Sequence, residues 1–452
     1  MNVAGRAPGT ADLALFGGTP VVARDAHRLW PIVTESERRA VGRVLDRGIL
    51  SGPFAPEAIA LEEEFARFVQ AKHAVLTHCG TSALAVALAA AGVRSGDEVV
   101  VPAYSFVATP LAVLQVGGIP VFADVDPMTG CLESGEAARA VTARTRAIMP
   151  VHMHGFAANI PALIAVARQY DLVVIEDAAQ AHGAECDGRR VGAIAAAGGF
   201  SLQSSKNLPA GEGGILVTND TSLADEANSV RNFGQDLSRT DVRGYDPCRP
   251  LDGPRALDSY RLGSMYRGNE MMAAFARAQL AQLPERTERC QRNAERLSRA
   301  LTELEGVTAP LVIPGRTSVH HKFRVHMDPE RAGLDISPER LRDAMLIALR
   351  AEGLEVVLWQ SAPLPAQAVF QRRDPSGGFP RGHPDGTDLL VNYDPRRYPG
   401  TQSLLSGSLV LFSQSCPLIA QSDDLIEDYA EAFRRVWHHR QALVEWSSRQ
   451  PS

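Results

Sequence analysis

The sequence predicts an α/β protein, with a large domain on a mostly parallel central sheet and a smaller α/β domain at its C-terminal end. Three observations carry this. Between residues 74 and 218, short apolar runs rich in β-branched residues alternate with helical or turn segments, the rhythm of strands joined by crossovers. Past Asn232 that rhythm fades, and from about residue 320 strand-like and helical segments resume as a second unit. At 452 residues the chain is also too long for one ordinary core.

Residues 1–30, rich in Gly, Pro and Ala, read as an N-terminal arm. Helical spacing of apolar residues then predicts helices over Glu35–Arg47, ended by Gly48, and over Pro56–Gln70. Strands are expected at Ala74–Thr77, Glu98–Val101, Pro120–Asp124, Ala147–His152, Leu172–Glu176, Gly199–Leu202 and Ile215–Thr218. The apolar run Ala83–Val93 is too short to span a bilayer and reads as a buried helix. A helix begins near Glu270 and runs towards Leu304 with a break at Pro284. The large domain is therefore placed at 31–285 and the small one at 286–452. In the latter, His321–Met327 and Glu355–Leu358 read as strands, and Ser337–Glu352 and 424–447 as helices. Two stretches rich in Gly, Pro and Arg, 235–262 and 374–400, read as long loops, which are usually functional or mobile.

Hydrophobic residues at 45% and charged residues at 22% are ordinary for a soluble globular protein. A net charge of −6 gives no electrostatic reason for nucleic acid or an anionic membrane as partner. The six cysteines are scattered without a C-x-x-C pair, which speaks against a zinc module or a disulfide framework and for a reducing cytoplasm. No signal peptide is read at the N-terminus.

In open α/β sheets ligands gather at the carboxyl ends of the strands, and three polar clusters fall there. His78-Cys79-Gly80-Thr81-Ser82 follows a strand and opens a helix. Such a turn offers free amides and hydroxyls to a phosphate, although Thr81 or Ser82 as a plain helix cap explains it too. Glu176-Asp177-Ala178-Ala179-Gln180 follows a buried strand. Asp177 there can pair with a protonated ring nitrogen, or it can bind a metal or cap a helix. Lys206 follows the strand run Phe200-Ser201-Leu202 and precedes Gly211-Glu212-Gly213-Gly214. At that place it can form an imine with an aldehyde, whereas an isolated lysine is ordinarily a solvated surface residue. His152-x-His154, on the expected strand, puts two imidazoles on one face, but no third metal ligand is near. His320-His321 and His438-His439 read as surface or packing pairs.

The order of phosphate loop, strand-end aspartate and lysine resembles fold type I enzymes that use pyridoxal 5'-phosphate (PLP). More closely it resembles the DegT/StrS family of sugar and cyclitol aminotransferases. The supporting phrases are LALFGGTPV, GILSG, HCGTSAL, VPAYSFVATP, FADVDP, PVHMHG, EDAAQAHGA and SLQSSKNLPAGEGG. The resemblance spans roughly residues 13–285, and beyond that only the layout agrees. It implies that Lys206 holds PLP as a Schiff base and later shuttles a proton, while Asp177 faces the pyridine nitrogen and Gln180 approaches the ring hydroxyl. It implies that Phe106 stacks on the ring, with Tyr104 the nearby alternative, and that Gly80, Thr81, Ser82 and Ser201 hold the phosphate.

The resemblance further implies a homodimer taking nitrogen from glutamate or glutamine and passing it to a ketone or aldehyde of a sugar, cyclitol or related specialised metabolite. The SSKNL…GEGG phrase leans towards the cyclitol branch of aminoglycoside pathways. One stretch departs from the pattern. Where the family carries G-x-N-x-R, whose Asn reaches the neighbouring subunit's phosphate, this chain has Gly263-Ser264-Met265-Tyr266-Arg267. Met265 stands at the Asn position, and Asn269 is the nearest substitute. Two other readings are weighed: a PLP-fold sensor that no longer transaminates, and the sugar dehydratase branch, in which a histidine replaces the lysine. The full set of Lys206, Asp177 and phosphate turn argues against the first, and Lys206 against the second.

Overall fold

A computed structural model of the protein describes residues 12–23, 25–52, 55–235, 258–372 and 391–448. Of the two expected long loops, residues 236–257 and 373–390 lie outside the described residues. Helices α1 (Glu35–Arg47) and α2 (Pro56–Val69) come first. Then follow β1 (His73–Thr77), α3 (Gly80–Ala90), β2 (Glu98–Pro102), α4 (Ala108–Gln115), β3 (Ile119–Ala123), α5 (Ser134–Ala140), β4 (Thr145–Ile148), α6 (Ile160–Gln169) and β5 (Val173–Asp177). A short hairpin, β6 (Glu185–Cys186) and β7 (Arg189–Arg190), leads to β8 (Ala197–Ser201), β9 (Gly214–Thr218) and α7 (Thr221–Val230).

The seven long strands form one sheet in the order β1-β9-β8-β5-β4-β2-β3. From β8 to β3 all pairings are parallel, and β9 runs antiparallel between β1 and β8. Strands such as β2 and β3 are buried along their whole length, which is why they read as unbroken apolar runs rather than alternating ones. Helix α3 lies against the sheet so closely that a Cβ on Gly199 would sit 2.7 Å from the Leu84 side chain. This approach selects the glycine there.

The second sheet is antiparallel and joins β10 (Val307–Thr308), β11 (Phe323–Met327), β12 (Val356–Val357) and β13 (Ser408–Leu411) in the order β10-β11-β13-β12. The chain after α7 also forms α8 (Glu270–Leu280), which packs on α1 and α2, then α9 (Leu283–Thr302), α10 (Pro338–Ala351), which packs against the second sheet, α11 (Ala368–Gln371), α12 (Pro399–Ser406), α13 (Asp423–His438) and α14 (Arg440–Ser447). Pro284 stands in the first turn of α9, so the expected break falls between α8 and α9. The described part of the expected arm, residues 12–23 and 25–30, is fastened down: Leu13, Val22 and Trp30 are buried, and Glu352 accepts the amides of Ala14 and Val21.

Two local expectations fail, and one strand goes unread, for identifiable reasons. The strand expected to reach His152 stops at Ile148, because Pro150 has no amide to continue the ladder and His154 turns into left-handed backbone at φ 57°. The two histidines therefore do not share a strand face. The single helix expected over 424–447 divides at His439, so that α13 packs on α9 and α14 on α10. Strand β13, central to the second sheet, goes unread in the sequence because its four residues are too few to show a period.

A buried carboxylate ties α2 to α8. Helix α2 has no side-chain cap of its own, and Glu270 supplies one by accepting the amides of Glu57 at 3.0 Å and Ala58 at 2.8 Å. Arg47 completes the group with a 2.8 Å bond to Glu270. Replacing Glu270 by Ala strands two helix-start amides and the guanidinium, and is expected to cost about 3 kcal/mol of unfolding free energy. Urea denaturation checks this; an unchanged midpoint would refute the assigned role.

Candidate active site

The cleft lies where the carboxyl ends of β5 and β8 meet the first turn of α3. Successive residues of a strand face opposite sides of the sheet, and β5 uses that alternation at its last two positions. Glu176 points to one side, where it is fully buried and accepts the amides of Gly192 at 2.7 Å, Ile194 at 2.8 Å and Ala195 at 2.7 Å. His152 Nε2 lies 3.0 Å from the same carboxylate. Asp177 points to the other side, into the cleft. Its carboxylate accepts the Thr109 hydroxyl at 2.7 Å and the amide of Ala179 at 3.1 Å. Burial pushes its pKa up, against the opposing effects of those two donors and of Lys206.

Lys206 enters from the loop after β8. That loop is closed upon itself by bonds from Leu202 N to Gly213 O, Ser204 N to Gly211 O and Ala210 N to Leu202 O. Gly213 is obligatory for this closure, because its φ is 156° and a Cβ would sit 2.9 Å from the Met272 sulfur. From outside, the Trp30 indole donates to the Lys206 carbonyl at 3.0 Å. Burial lowers the Lys206 pKa to about 8, opposed by the charge of Asp177.

The third side is the turn at Cys79–Thr81. Cys79, rather than Thr81 or Ser82, is the N-cap of α3. The amides of Gly80 and Thr81 stand at the open first turn, where no intrahelical acceptor exists. A Cβ on Gly80 would fall 2.7 Å from the Ser201 Cβ, so the glycine lets the turn and the end of β8 meet face to face. Together these walls enclose a cavity of 440 Å³ lined by Gly80, Thr81, Phe106, Asp177, Gln180, Ser201 and Lys206, among others.

Seven of the nine residues expected at the site are thus gathered in one place. Ser82 is not among the lining residues: its hydroxyl contacts Cys79 Sγ at 3.2 Å and His78 Nε2 at 3.4 Å. Asn269 caps α8, accepting the amide of Met272 at 2.9 Å, and does not line the cavity. Tyr104 is fully buried behind the cleft, which leaves Phe106, 55% exposed, as the aromatic at the cavity wall.

A model of the DegT/DnrJ/EryC1/StrS aminotransferase family matches residues 31–382. The chain belongs to that family. It is 35% identical over 443 residues to the L-glutamine:2-deoxy-scyllo-inosose aminotransferase of Streptomyces kanamyceticus, covering 96% of this chain and 98% of that protein. It is 34% identical over 446 residues to the L-glutamine:scyllo-inosose aminotransferase of Streptomyces griseus, with 94% and 97% covered. Among solved structures, 3-amino-5-hydroxybenzoic acid synthase superposes with a TM-score of 0.77 at 29% identity, over 94% of this chain and all of that one. The chain is therefore an aminotransferase with the fold type I architecture.

This aminotransferase also shows site residues that the sequence did not announce. Thr109, which holds Asp177, is the second residue of α4, with nothing to distinguish it from a helix residue. His321, taken for a surface or packing residue, is buried, lines the cavity and contacts Asn207 at 3.3 Å. Trp359 and Gln414 reach the cavity from the C-terminal unit. Only tertiary packing brings these residues to the cleft. Among the described residues, no group of three His, Cys, Asp or Glu is placed to hold a metal ion, and no helix is long and apolar enough to cross a membrane.

Glu176 is expected to set the position of Asp177 through the backbone they share. In Glu176→Gln an NH₂ group faces at least one of the inward-pointing amides, which should cost roughly 2–3 kcal/mol. Chemical unfolding checks this, and a variant as stable as the parent would show the carboxylate to be dispensable.

Proposed function

We propose that the chain binds PLP through Lys206 and moves an amino group from L-glutamine to the ketone of a cyclitol of the inosose type. The observation that carries this reading is the convergence of Lys206, Asp177 and the Gly80–Ser201 cradle on one cavity. The residues fit the cofactor. Two open-turn amides with the Thr81 and Ser201 hydroxyls suit a phosphate, a buried carboxylate suits a protonated pyridine nitrogen, and a desolvated lysine suits an aldehyde. Phe106 offers a flat apolar face to the ring. The donor and acceptor classes come from the names of the relatives. A homodimer in a reducing cytoplasm is the setting this reading expects, in keeping with free Cys79, Cys131, Cys186, Cys290 and Cys416.

Bound there, PLP would supply an aldehyde for the imine and a ring that accepts electron density when a substrate C–H bond breaks. The protein supplies the rest. Lys206 would be the residue that holds the group through its neutral amine, and its Nζ would carry and return a proton at the substrate carbon. Asp177, screened from water and steadied by Thr109 and Ala179, would favour the protonated form of a ring nitrogen placed against it. Gln180 is fixed because its Oε1 accepts the backbone amide of His154 at 3.0 Å, and it presents its remaining polar atoms at the cavity wall.

Four outcomes test this. PLP added to the full-length protein should give the visible absorbance of a protein-bound imine, which Lys206→Ala abolishes and L-glutamine bleaches; a wild-type protein that binds no PLP would end the proposal. Because only the neutral amine reacts, the rate of imine formation should rise with pH and level off above about 8. In Asp177→Asn, which lacks the charge that favours protonated Lys206, stopped-flow traces should level off at lower pH. Gly80→Ala forces the phosphate turn away from Ser201 and should weaken PLP binding by about tenfold or more, measured by equilibrium titration.

A further inference from the structure

Behind the cleft wall lies a second, smaller cavity of 40 Å³ with no lining residue in common with the first. It is walled by Tyr104, His154, His320, Lys322 and Arg324, and reaches the surface beside Leu311. Lys322 immediately precedes β11, and Arg324 lies two residues on. Strand alternation therefore turns both side chains towards the cavity, while Phe323 and Val325 go into the core.

Several buried polar atoms here lack a partner among the described residues. Lys322 is 4% exposed, and its Nζ has no hydrogen-bond partner among the described residues. Arg324, 9% exposed, gives Nη1 to Ser408 Oγ at 2.5 Å and Nη2 to the Tyr104 hydroxyl, but its Nε is unpartnered. Arg324 Nη2 also faces His154 Nε2 at 3.5 Å. An arginine has no lone pair to offer, so that imidazole nitrogen is the acceptor and the proton sits on Nδ1, which is itself without a partner. The Nδ1 of His320 is likewise unmatched. Among the described residues no Asp or Glu lines the cavity. Burial, with the charge of Lys206, brings Lys322 down only to about 8, so at neutral pH two cations stand buried with no counter-charge from the described lining. Isolated buried charges of this kind are strongly unfavourable.

We propose that this cavity is a binding site for one small monovalent anion, a halide or the carboxylate head of an organic acid, held by Lys322, Arg324 and the Nδ1–H of His154. Its volume admits about three waters by the usual allowance, which is right for a chloride or a carboxylate and too small for a sugar. The anion supplies the acceptor that the surrounding donors lack. It also has a route to the catalytic cleft: Trp359, a wall of that cleft, packs edge-on against Tyr104 and His154 with centroids 5.5 and 5.1 Å away. The backbone of His154 holds Gln180. The site stands on its own residues and does not depend on the PLP reading.

The test is thermal melting of the full-length protein in a bulky sulfonate buffer, with sodium chloride or sodium acetate replacing the sulfonate at constant sodium. A ligand that binds only the folded state raises the midpoint in a saturable way. Wild type should gain several degrees with either small anion, and the more effective one identifies the occupant as halide or carboxylate. Lys322→Met should melt higher than wild type in the sulfonate and gain nothing from chloride or acetate. Equal responses in wild type and Lys322→Met, or no advantage of small anions over the sulfonate, would overturn the proposal and leave water as the occupant. Should Lys322→Met fail to fold, chloride-35 NMR linewidths of the wild type decide. Saturable broadening relieved by acetate supports the site, and its absence refutes it. Neither readout uses the Lys206 imine, so failure here leaves the aminotransferase reading intact.

Discussion

The carboxylate of Glu176 is the constraint on which the site's architecture rests. It is fully buried, yet four donors converge on its two oxygens: three amides of the 192–195 segment and the ring of His152. That segment lies between the β6–β7 hairpin and β8, so one side chain fixes the approach to the strand that ends in Ser201 and leads to Lys206. His152 continues the chain of bonds by accepting the amide of Ala158 at 3.0 Å through its other nitrogen, which anchors the path out of β4. Asp177 inherits its position from this arrangement, being the next residue on the same strand. A strand end is usually a frayed place. Here the carboxylate behind it holds it in place, which is what the role proposed for Asp177 would require.

The cleft gathers titratable groups whose charged forms burial disfavours, in opposite directions. Burial raises Asp177 and lowers Lys206, while each favours the charged form of the other. The surrounding imidazoles resolve the conflict by staying neutral: His182 is brought down to about 3, and His321 and His154 well below their ordinary range, chiefly by desolvation. The aspartate and the lysine therefore face each other across a cavity whose lining histidine, His321, adds no competing charge, and His154 and His182 add none from behind its wall. Such a setting keeps a lysine reactive near neutral pH, which an exposed lysine is not.

Much of this was legible in the sequence, and what was hidden follows a rule. Lys206, Asp177, Gly80 and Ser201 sit at strand ends or helix starts, where geometry is dictated by the next few residues; local reading reaches them. The glycines were informative because a single missing Cβ is demanded by a specific neighbour, as at Gly80 against Ser201. Thr109, His321, Trp359 and the cations of β11 matter only through packing between distant segments, and nothing local marks them. Ser82 shows the reverse error. Its residue type suits a phosphate, but Cys79 takes the cap and the Ser82 hydroxyl turns back to it. The strand end near His152 was misjudged because Pro150 and the left-handed His154 break a run that is apolar enough to look continuous.

The departure at Met265 has a structural counterpart that bears on assembly. Its segment is held in place by the backbone: Met265 bridges to Asn232, and the carbonyl of Tyr266 accepts the His78 amide at 2.8 Å while its ring stacks on His78. Arg267 donates to Asn232 at 2.6 Å. The segment therefore runs beside the Cys79–Thr81 turn whatever residue stands at 265, and presents Met265 at 48% exposure. Asn269 cannot take over from its present place, since its side-chain oxygen already caps α8. What the exchange removes is one amide at an exposed position, while the turn amides, Thr81 and Ser201 belong to the same chain as Lys206. The proposed phosphate contacts from the turn amides, Thr81 and Ser201 thus lie beside an exposed, apolar Met265 that brings no hydrogen-bonding group of its own to them.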